Sequence, residues 1–207
     1  MKKTFAASLF LFFACRLASQ TEASVTMLTV NDGLSQGMIF DLMQSRDGFI
    51  WIATKDGLNR YDGSRFKVFS PDPFNPFAIG GSEVQRLFED SRGWIWLDLP
   101  DGLCVLNPVS GRFFHLMYEG KPLDCKWEAS IAETPDGVIW ITDYDQIWKI
   151  SAPKDMLTKA AKQGIANIGL PCKPISMSAV SGWTGGPLQA NQLLFTQGKK
   201  LLIGTNH

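Results

Sequence analysis

The chain has 207 residues, of which 45% are hydrophobic and 19% charged, and its 20 basic and 20 acidic side chains leave no net charge. A neutral chain has no long-range field to attract a nucleic acid or an anionic membrane surface, so neither is expected as a partner. The length permits a sizeable core.

The N-terminus resembles a secretory signal in its charge and apolarity. Lys2 and Lys3 precede an apolar run from Phe5 to Ala14, which is too short to span a bilayer. We therefore predict a signal peptide over residues 1–23 and an exported mature chain. Cys15 follows a small residue, which leaves lipidation open as the alternative to a cysteine removed with the peptide.

The next segment, residues 24–38, is predicted to be an outer strand followed by a linker. Val25 to Val30 alternates as a strand does and precedes a first strand, as Phe66 to Phe69 and Phe113 to Leu116 do further on. It would complete a blade whose other three strands come from elsewhere.

One frame then recurs along the chain. Trp51, Trp96 and Trp140 follow one another at spacings of 45 and 44 residues, each within an apolar strand that follows a turn ending in glycine. Each module contains short strands separated by Asp-Gly or similar turns. A fixed period of this size predicts an all-β chain, a β-propeller of four-stranded blades.

The modules have different degrees of completeness. Blade 1 is assigned to residues 39–80, blade 2 to 81–122, blade 3 with an insertion of roughly 17 residues to 123–187, and the start of blade 4 to 188–207. A short helix is predicted between Pro153 and Gly164. We expect an incomplete N-terminal fragment of about three to four blades.

Two sets of side chains in the repeat have structural roles. The aligned tryptophans are predicted to pack between blades, and Ser45, Asp90 and Thr134, three residues before aligned glycines, are predicted to cap the turns.

In these repeated residues the chain resembles the two-component regulator propeller repeat. The resemblance is closest from Gly33 to Phe69, where Asp-Gly-Phe-Ile-Trp-Ile-Ala-Thr-Lys-Asp-Gly-Leu-Asn-Arg-Tyr-Asp-Gly occurs, and it weakens after Ile131. It implies the periplasmic sensor part of a hybrid two-component regulator of the Bacteroidetes type, with an oligosaccharide as ligand. It also implies further blades and a histidine kinase in the same full-length protein, and a homodimer of that form.

Candidate ligand-binding residues lie at the turns predicted to share one mouth of the propeller channel. They are Lys55, Asp56 and Asp101, with Trp127 and Trp183 as aromatic platforms for a sugar ring, although packing under a loop is the simpler role for each tryptophan. Asp56 and Asp101 also have a structural role in their Asp-Gly turns.

No catalytic or metal-binding constellation is apparent. The chain contains two histidines, and His115 lies in an apolar outer strand, so we interpret it as a half-exposed strand residue rather than a base. Cys104 is interpreted as a small buried residue, and Cys125 and Cys172 could form a disulfide. We expect no cofactor and no enzyme activity in this chain. The alternatives are a secreted glycan-active enzyme on a propeller scaffold and a free-standing interaction scaffold.

Overall fold

The computed structural model describes residues 25–125, 130–143, 146–170, 172–176, 189–195 and 201–206. The predicted signal peptide and Cys15, the tryptophans at 127 and 183, and the turn at 144–145 lie outside these residues. Within the described part of the chain, no helix has both the length and the apolar character that a membrane span requires.

Blade 1 is a four-stranded antiparallel meander in which each strand pairs with the next. Its strands are β1 Ile39–Gln44, β2 Ile50–Thr54, β3 Gly57–Tyr61 and β4 Phe66–Phe69. The turn between β2 and β3 needs Gly57, because its φ is +100° and an added Cβ would lie 2.7 Å from the Phe69 carbonyl oxygen. The four strands predicted from the repeat are therefore confirmed for this blade.

Blade 2 has the same meander and two additional pairings. Its strands are β5 Arg86–Glu89, β6 Ile95–Asp98, β7 Cys104–Asn107 and β8 Arg112–Tyr118, and a short β9 Lys121–Pro122 pairs with β8. Its registers match those of blade 1, since Phe88 pairs with Trp96 as Met43 pairs with Trp51.

In blade 3, a helix and a short strand separate the third strand from the fourth. Its first three strands are β10 Ile131–Glu133, β11 Ile139–Asp143 and β12 Gln146–Ile150; then follow helix α1 Met156–Gln163, β13 Asn167–Gly169 and the fourth strand of the blade, β14 Cys172–Ser176. The helix agrees with the prediction. The strand β13 was not predicted, and it pairs in parallel with β8, so the insertion joins blade 3 to blade 2.

The last described strands are β15 Gln189–Phe195 and β16 Leu201–Asn206, which pair with each other. Strand β15 lies against β10 and β11 of blade 3. They are the two strands predicted for the beginning of a fourth blade.

The predicted outer strand from Val25 to Val30 is wrong in this structure. Residues 25–29 have no regular structure, and Val30–Asp32 forms a 3₁₀ turn capped by Thr29. The Asp32 carboxylate accepts the Thr29 backbone N–H at 2.7 Å, and the Thr29 hydroxyl accepts from Asn31. Alternation alone does not make a strand, because a strand also needs a partner for its backbone.

Among the residues whose burial the structure describes, the core consists of two clusters, one between blades 1 and 2 and one between blades 2 and 3. Trp51 and Leu58 of blade 1 pack with Ile95 and Phe113 of blade 2, and Trp96 of blade 2 packs in the cluster shared with blade 3. Both tryptophans are fully buried. This confirms the predicted packing between blades for Trp51 and Trp96, whereas the third aligned tryptophan, Trp140, is only partly buried. The packing of blade on blade explains why the strands are apolar on both faces.

The three described cysteines are buried. Cys172 is a free thiol, so the disulfide with Cys125 that the sequence left open is not formed. Burial raises the pKa of both the Cys104 and the Cys172 thiols.

Candidate functional site

The β2–β3 turn of blade 1 and the β6–β7 turn of blade 2 lie on one face of the blades, as the sequence predicted. The linker that leads into blade 2 runs between them. On one side, the Gly57 N–H donates to the Ser82 carbonyl, and on the other side Gly81 lies close enough to Asp101 that an added Cβ would be 3.2 Å from its Oδ2. Lys55 and Asp56 are exposed on the first turn and Asp101 on the second.

A cavity of about 400 Å³ opens on this face beside blade 2. Asp101, His115 and Asn167 contribute polar groups to its wall, and the remaining lining is largely apolar. Lys55 and Asp56 do not line it. The structure therefore brings one of the predicted ligand residues to a cavity and leaves two on the neighbouring turn.

His115 fixes the position of the linker against blade 2. Its Nε2 lies 3.3 Å from the Pro76 carbonyl, to which it donates when Nε2 carries the proton. Its Nδ1 is then an acceptor and lies 3.1 Å from the Cys104 Sγ. Burial lowers the pKa of His115, opposed by the backbone carbonyls of Pro76 and Ala78. Its half-buried position in an outer strand agrees with the prediction.

The contact between Cys104 and His115 is not an activated thiol pair. A nucleophilic cysteine needs a depressed pKa, whereas burial raises the pKa of Cys104 to about 12. The thiol is therefore protonated at neutral pH, and the pair holds the linker in place. Among the residues that the structure describes, no three His, Cys, Asp or Glu side chains cluster as metal ligands would.

Phe74 is an exposed aromatic side chain that the sequence interpretation missed. It is 95% exposed, on the loop Pro71-Asp-Pro-Phe-Asn-Pro76 between blades 1 and 2. Its backbone N–H donates to the Asp72 carboxylate at 2.9 Å, and Phe77 three residues later packs edge-on against the buried Phe114.

The loop therefore has a defined shape, and it is anchored beside the cavity because the Pro76 carbonyl contacts His115. The sequence signal that could have indicated Phe74 as a candidate was an aromatic residue among three prolines. Trp127 and Trp183, the predicted platforms, lie outside the described residues.

The turns at the opposite end of the blades are lined by charged side chains. A second, smaller groove of about 300 Å³ lies there between blades 1 and 2, lined by both acidic and basic side chains such as Asp47 and Arg46. Arg46 is already engaged, since its Nε lies 3.3 Å from Glu89 of the next blade. This end of the interface has a structural role.

Comparison with known proteins gives one family model and one relative that this chain resembles in sequence. Residues 33–56 match the family model described as two component regulator propeller. A stretch of 76 residues is 38% identical to histidine kinase P4 of Formosa agariphila, and it covers 36% of this chain but 6% of that protein.

The fold is similar to solved propellers. The extracellular domain of a protein from B. thetaiotaomicron, described as a hybrid two component system, is 21% identical with a TM-score of 0.63, over 86% of this chain and 23% of that one. Virginiamycin B lyase from Staphylococcus aureus is 14% identical with a TM-score of 0.53, over 82% of this chain and 51% of that one. These likenesses and the four-stranded sheets establish a partial β-propeller. The chain spans about a quarter of the solved extracellular domain that it matches.

Proposed function

We propose that this chain, which carries the two-component regulator propeller repeat, is part of an exported sensor that binds an oligosaccharide and controls a histidine kinase of the same full-length protein. The observation that carries the proposal is the cavity bordered by Asp101 and the fixed loop that presents Phe74. The relative in Formosa agariphila is named as a histidine kinase, which supports the output.

Carbohydrate is the ligand class that these groups favour. A sugar ring presents C–H groups on its faces and hydroxyls at its edge, so it needs an aromatic face together with hydrogen-bonding side chains. Phe74 offers the first, and Asp101 and Asn167 offer the second. Lys55 and Asp56 lie on the adjacent turn, where they are available to a ligand longer than one ring.

Export and assembly belong to the same proposal. The charged and apolar N-terminus is a signal peptide, and the solved neighbour from B. thetaiotaomicron is an extracellular domain. The sensor then lies in the periplasm, and the full-length form is a homodimer that transmits ligand binding to the kinase.

Calorimetric titration of the sensor with a panel of oligosaccharides tests the proposal. We expect Asp101→Asn to weaken binding about fivefold, because the amide keeps an acceptor oxygen but a hydrogen bond to a charged group contributes about 1 kcal/mol more than one to a neutral group. Phe74→Ala should also weaken binding. Lys55→Ala and Asp56→Ala should have smaller effects, and Trp127→Ala and Trp183→Ala test the platforms predicted from the sequence.

The control is Val109→Ala, because Val109 is 97% exposed on the turn between β7 and β8, at the other end of the blade. It should bind as the wild type does. Unchanged affinity in both Asp101→Asn and Phe74→Ala would contradict the site, and a sensor that binds no oligosaccharide would contradict the function.

A further inference from the structure

The cavity beside blade 2 takes its charge from one side chain. Among the described residues that line it, those that can ionise are Asp101, Cys104 and His115. Burial lowers the pKa of His115 and raises the pKa of the Cys104 thiol to about 12, so both groups are neutral at neutral pH. The Asp101 carboxylate therefore gives this wall of the cavity a negative charge.

No lysine or arginine in the described part of the chain lines the cavity to balance that charge. Lys121 comes next to the lining in sequence, because it precedes Pro122. Pro122 pairs with Met117, which also lines the cavity, whereas Lys121 pairs with Tyr118, whose ring packs edge-on against Trp148. Neighbouring residues of a strand point to opposite faces, so Lys121 lies on the face away from the cavity.

Backbone N–H groups are the other means by which a protein binds an anion. Several of those along this wall already donate to carbonyl groups of the protein, at distances from 2.8 to 3.0 Å; they belong to Gly102, Leu103, His115 and Leu116. A sulfate or a carboxylate that entered the cavity would not find these donors available.

The other groups of the wall do not discriminate against either neutral or cationic rings. The amide of Asn167 is neutral and can donate or accept a hydrogen bond, so it suits a sugar hydroxyl. Leu103 and Leu116 are buried, and an apolar wall of this kind strengthens an electrostatic interaction relative to an open surface. The charge of Asp101 therefore matters more here than it would on an exposed turn without a cavity.

We infer that this cavity selects a sugar ring by its charge: it accepts a neutral or amine-bearing ring and rejects one that carries a carboxylate or a sulfate, with Asp101 as the residue that determines the specificity. This specificity rests on the proposed function, because it names the class of oligosaccharide for the same cavity. A hydroxyl or an amine donates to the Asp101 carboxylate. A uronic acid or a sulfated sugar would instead place a second negative charge beside it without a counter-ion.

The turn of blade 1 that lies nearby carries one charge of each sign. Lys55 and Asp56 follow each other in sequence, both are exposed, and neither lines the cavity. Opposite charges in adjacent positions largely cancel at a distance, and salt screens what is left beyond about 8 Å at physiological ionic strength. We therefore expect the charge preference of the cavity to depend on Asp101 rather than on this turn.

Calorimetric titration of the full-length sensor with matched disaccharides tests the charge preference. The probes are forms of cellobiose in which the exocyclic carbon of each ring carries a primary amine, the ordinary hydroxyl or a carboxylate, and the same forms of galactobiose. Because both rings carry the change, the result does not depend on which end enters the cavity. We expect the affinity to fall in the order amine, hydroxyl, carboxylate, by about fivefold at each step, the upper end of the contribution of an exposed ion pair. Added salt should narrow the steps.

Two matched variants assign the preference to a residue. Asp101→Asn removes the charge at nearly constant shape and should abolish the difference between the amine and the carboxylate probes. Asp56→Asn removes the same charge from a residue that does not line the cavity and should keep the order of the wild type.

The outcomes separate this specificity from the sensor function. An affinity for the carboxylate probe equal to or above that for the hydroxyl probe would overturn the charge selection and leave oligosaccharide binding intact. An unchanged order of affinities in Asp101→Asn would overturn the role of Asp101. A sensor that binds no probe of either sugar would contradict the proposed function itself, and the charge selection with it.

Discussion

Blades 1 and 2 have the same turn after the first strand but hold it with different chemistry. In blade 1 the capping residue is Ser45, whose hydroxyl accepts the Trp51 indole N–H at 3.0 Å. In blade 2 it is Asp90, whose carboxylate accepts the Trp96 indole N–H at 2.9 Å and is completely buried. A neutral group and a charged group thus occupy the same position in one repeat.

The charged version requires a partner that the neutral one does not. A buried carboxylate is costly unless it is paired, and the Arg92 guanidinium lies 2.6 Å from Asp90. Arg92 also donates to the Ala152 carbonyl at 2.7 Å, which ties the turn to the segment between the third and fourth strands of blade 3. At the position of Arg92, blade 1 has Asp47, which accepts a hydrogen bond from Ser45. In these two blades the capping residue and the residue two positions later therefore differ together, as a neutral acceptor with Asp47 and as a buried carboxylate with Arg92.

The largest expected effect comes from separating the pair in blade 2. Arg92→Ala should lower the free energy of unfolding by about 3–5 kcal/mol, because it leaves the Asp90 carboxylate buried without a cation. The double variant Asp90→Ser with Arg92→Asp copies blade 1 and should recover much of that loss. Urea unfolding followed by tryptophan fluorescence measures both. A double variant no more stable than Arg92→Ala would show that the buried charge is not the cause.

A smaller effect is expected for the difference in unfolding free energy lost when each of the two tryptophans is replaced by phenylalanine. Trp96→Phe and Trp51→Phe remove the same volume from fully buried sites, so the cost of the cavity is similar in both. Trp96 donates to a carboxylate and Trp51 to a hydroxyl, and a hydrogen bond to a charged group contributes about 1 kcal/mol more. Trp96→Phe should therefore be the more destabilising in the same unfolding experiment. Equal losses would mean that the charge of Asp90 adds nothing to this contact.

The smallest effect is expected at the β3–β4 turn, where blade 1 has Asp62 and blade 2 has Asn107. Hydrogen bonds from the Ser64 hydroxyl and from the backbone N–H groups of Arg65 and Ser64 lower the pKa of Asp62 to about 2. Asn107 accepts the backbone N–H groups of Val109 and Ser110 through its amide oxygen. The two side chains close equivalent turns, but only Asp62 can titrate.

The sign of the pH dependence follows from the lowered pKa. An aspartate whose pKa is about 2 in the folded chain and about 3.9 when unfolded contributes stability that is present above pH ~4 and is lost as the pH falls toward 2. Asp62→Asn copies blade 2 and removes the titrating group, so the urea midpoint should fall less over this pH range. The difference should be slight, because the turn is exposed. A steeper fall in Asp62→Asn than in the wild type would contradict this assignment.

The chemistry of single positions could be predicted from the sequence to different extents. Ser45, Asp90 and Thr134 cap their turns as predicted, and Thr134 donates its hydroxyl to the Val138 carbonyl at 2.9 Å. The need for Arg92 was not foreseen, since it depends on how deeply Asp90 is buried. Asp101 was predicted as a site residue from its turn, but the cavity beside it also needs Asn167 of β13, a strand that the sequence did not indicate.

The sequence by itself determined the period, the four-stranded modules, the glycine turns and the burial of Trp51 and Trp96. These features depend on local alternation, on positive φ angles and on a spacing repeated about every 45 residues. All three can be read directly from the residue types along the sequence. The tertiary structure alone decided that Val25 to Val30 is not a strand, that β13 joins the sheet of blade 2, and that the loop carrying Phe74 contacts His115 of the cavity through Pro76. Each depends on a partner distant in sequence, because a strand needs a neighbour for its backbone hydrogen bonds and a cavity needs walls from several segments.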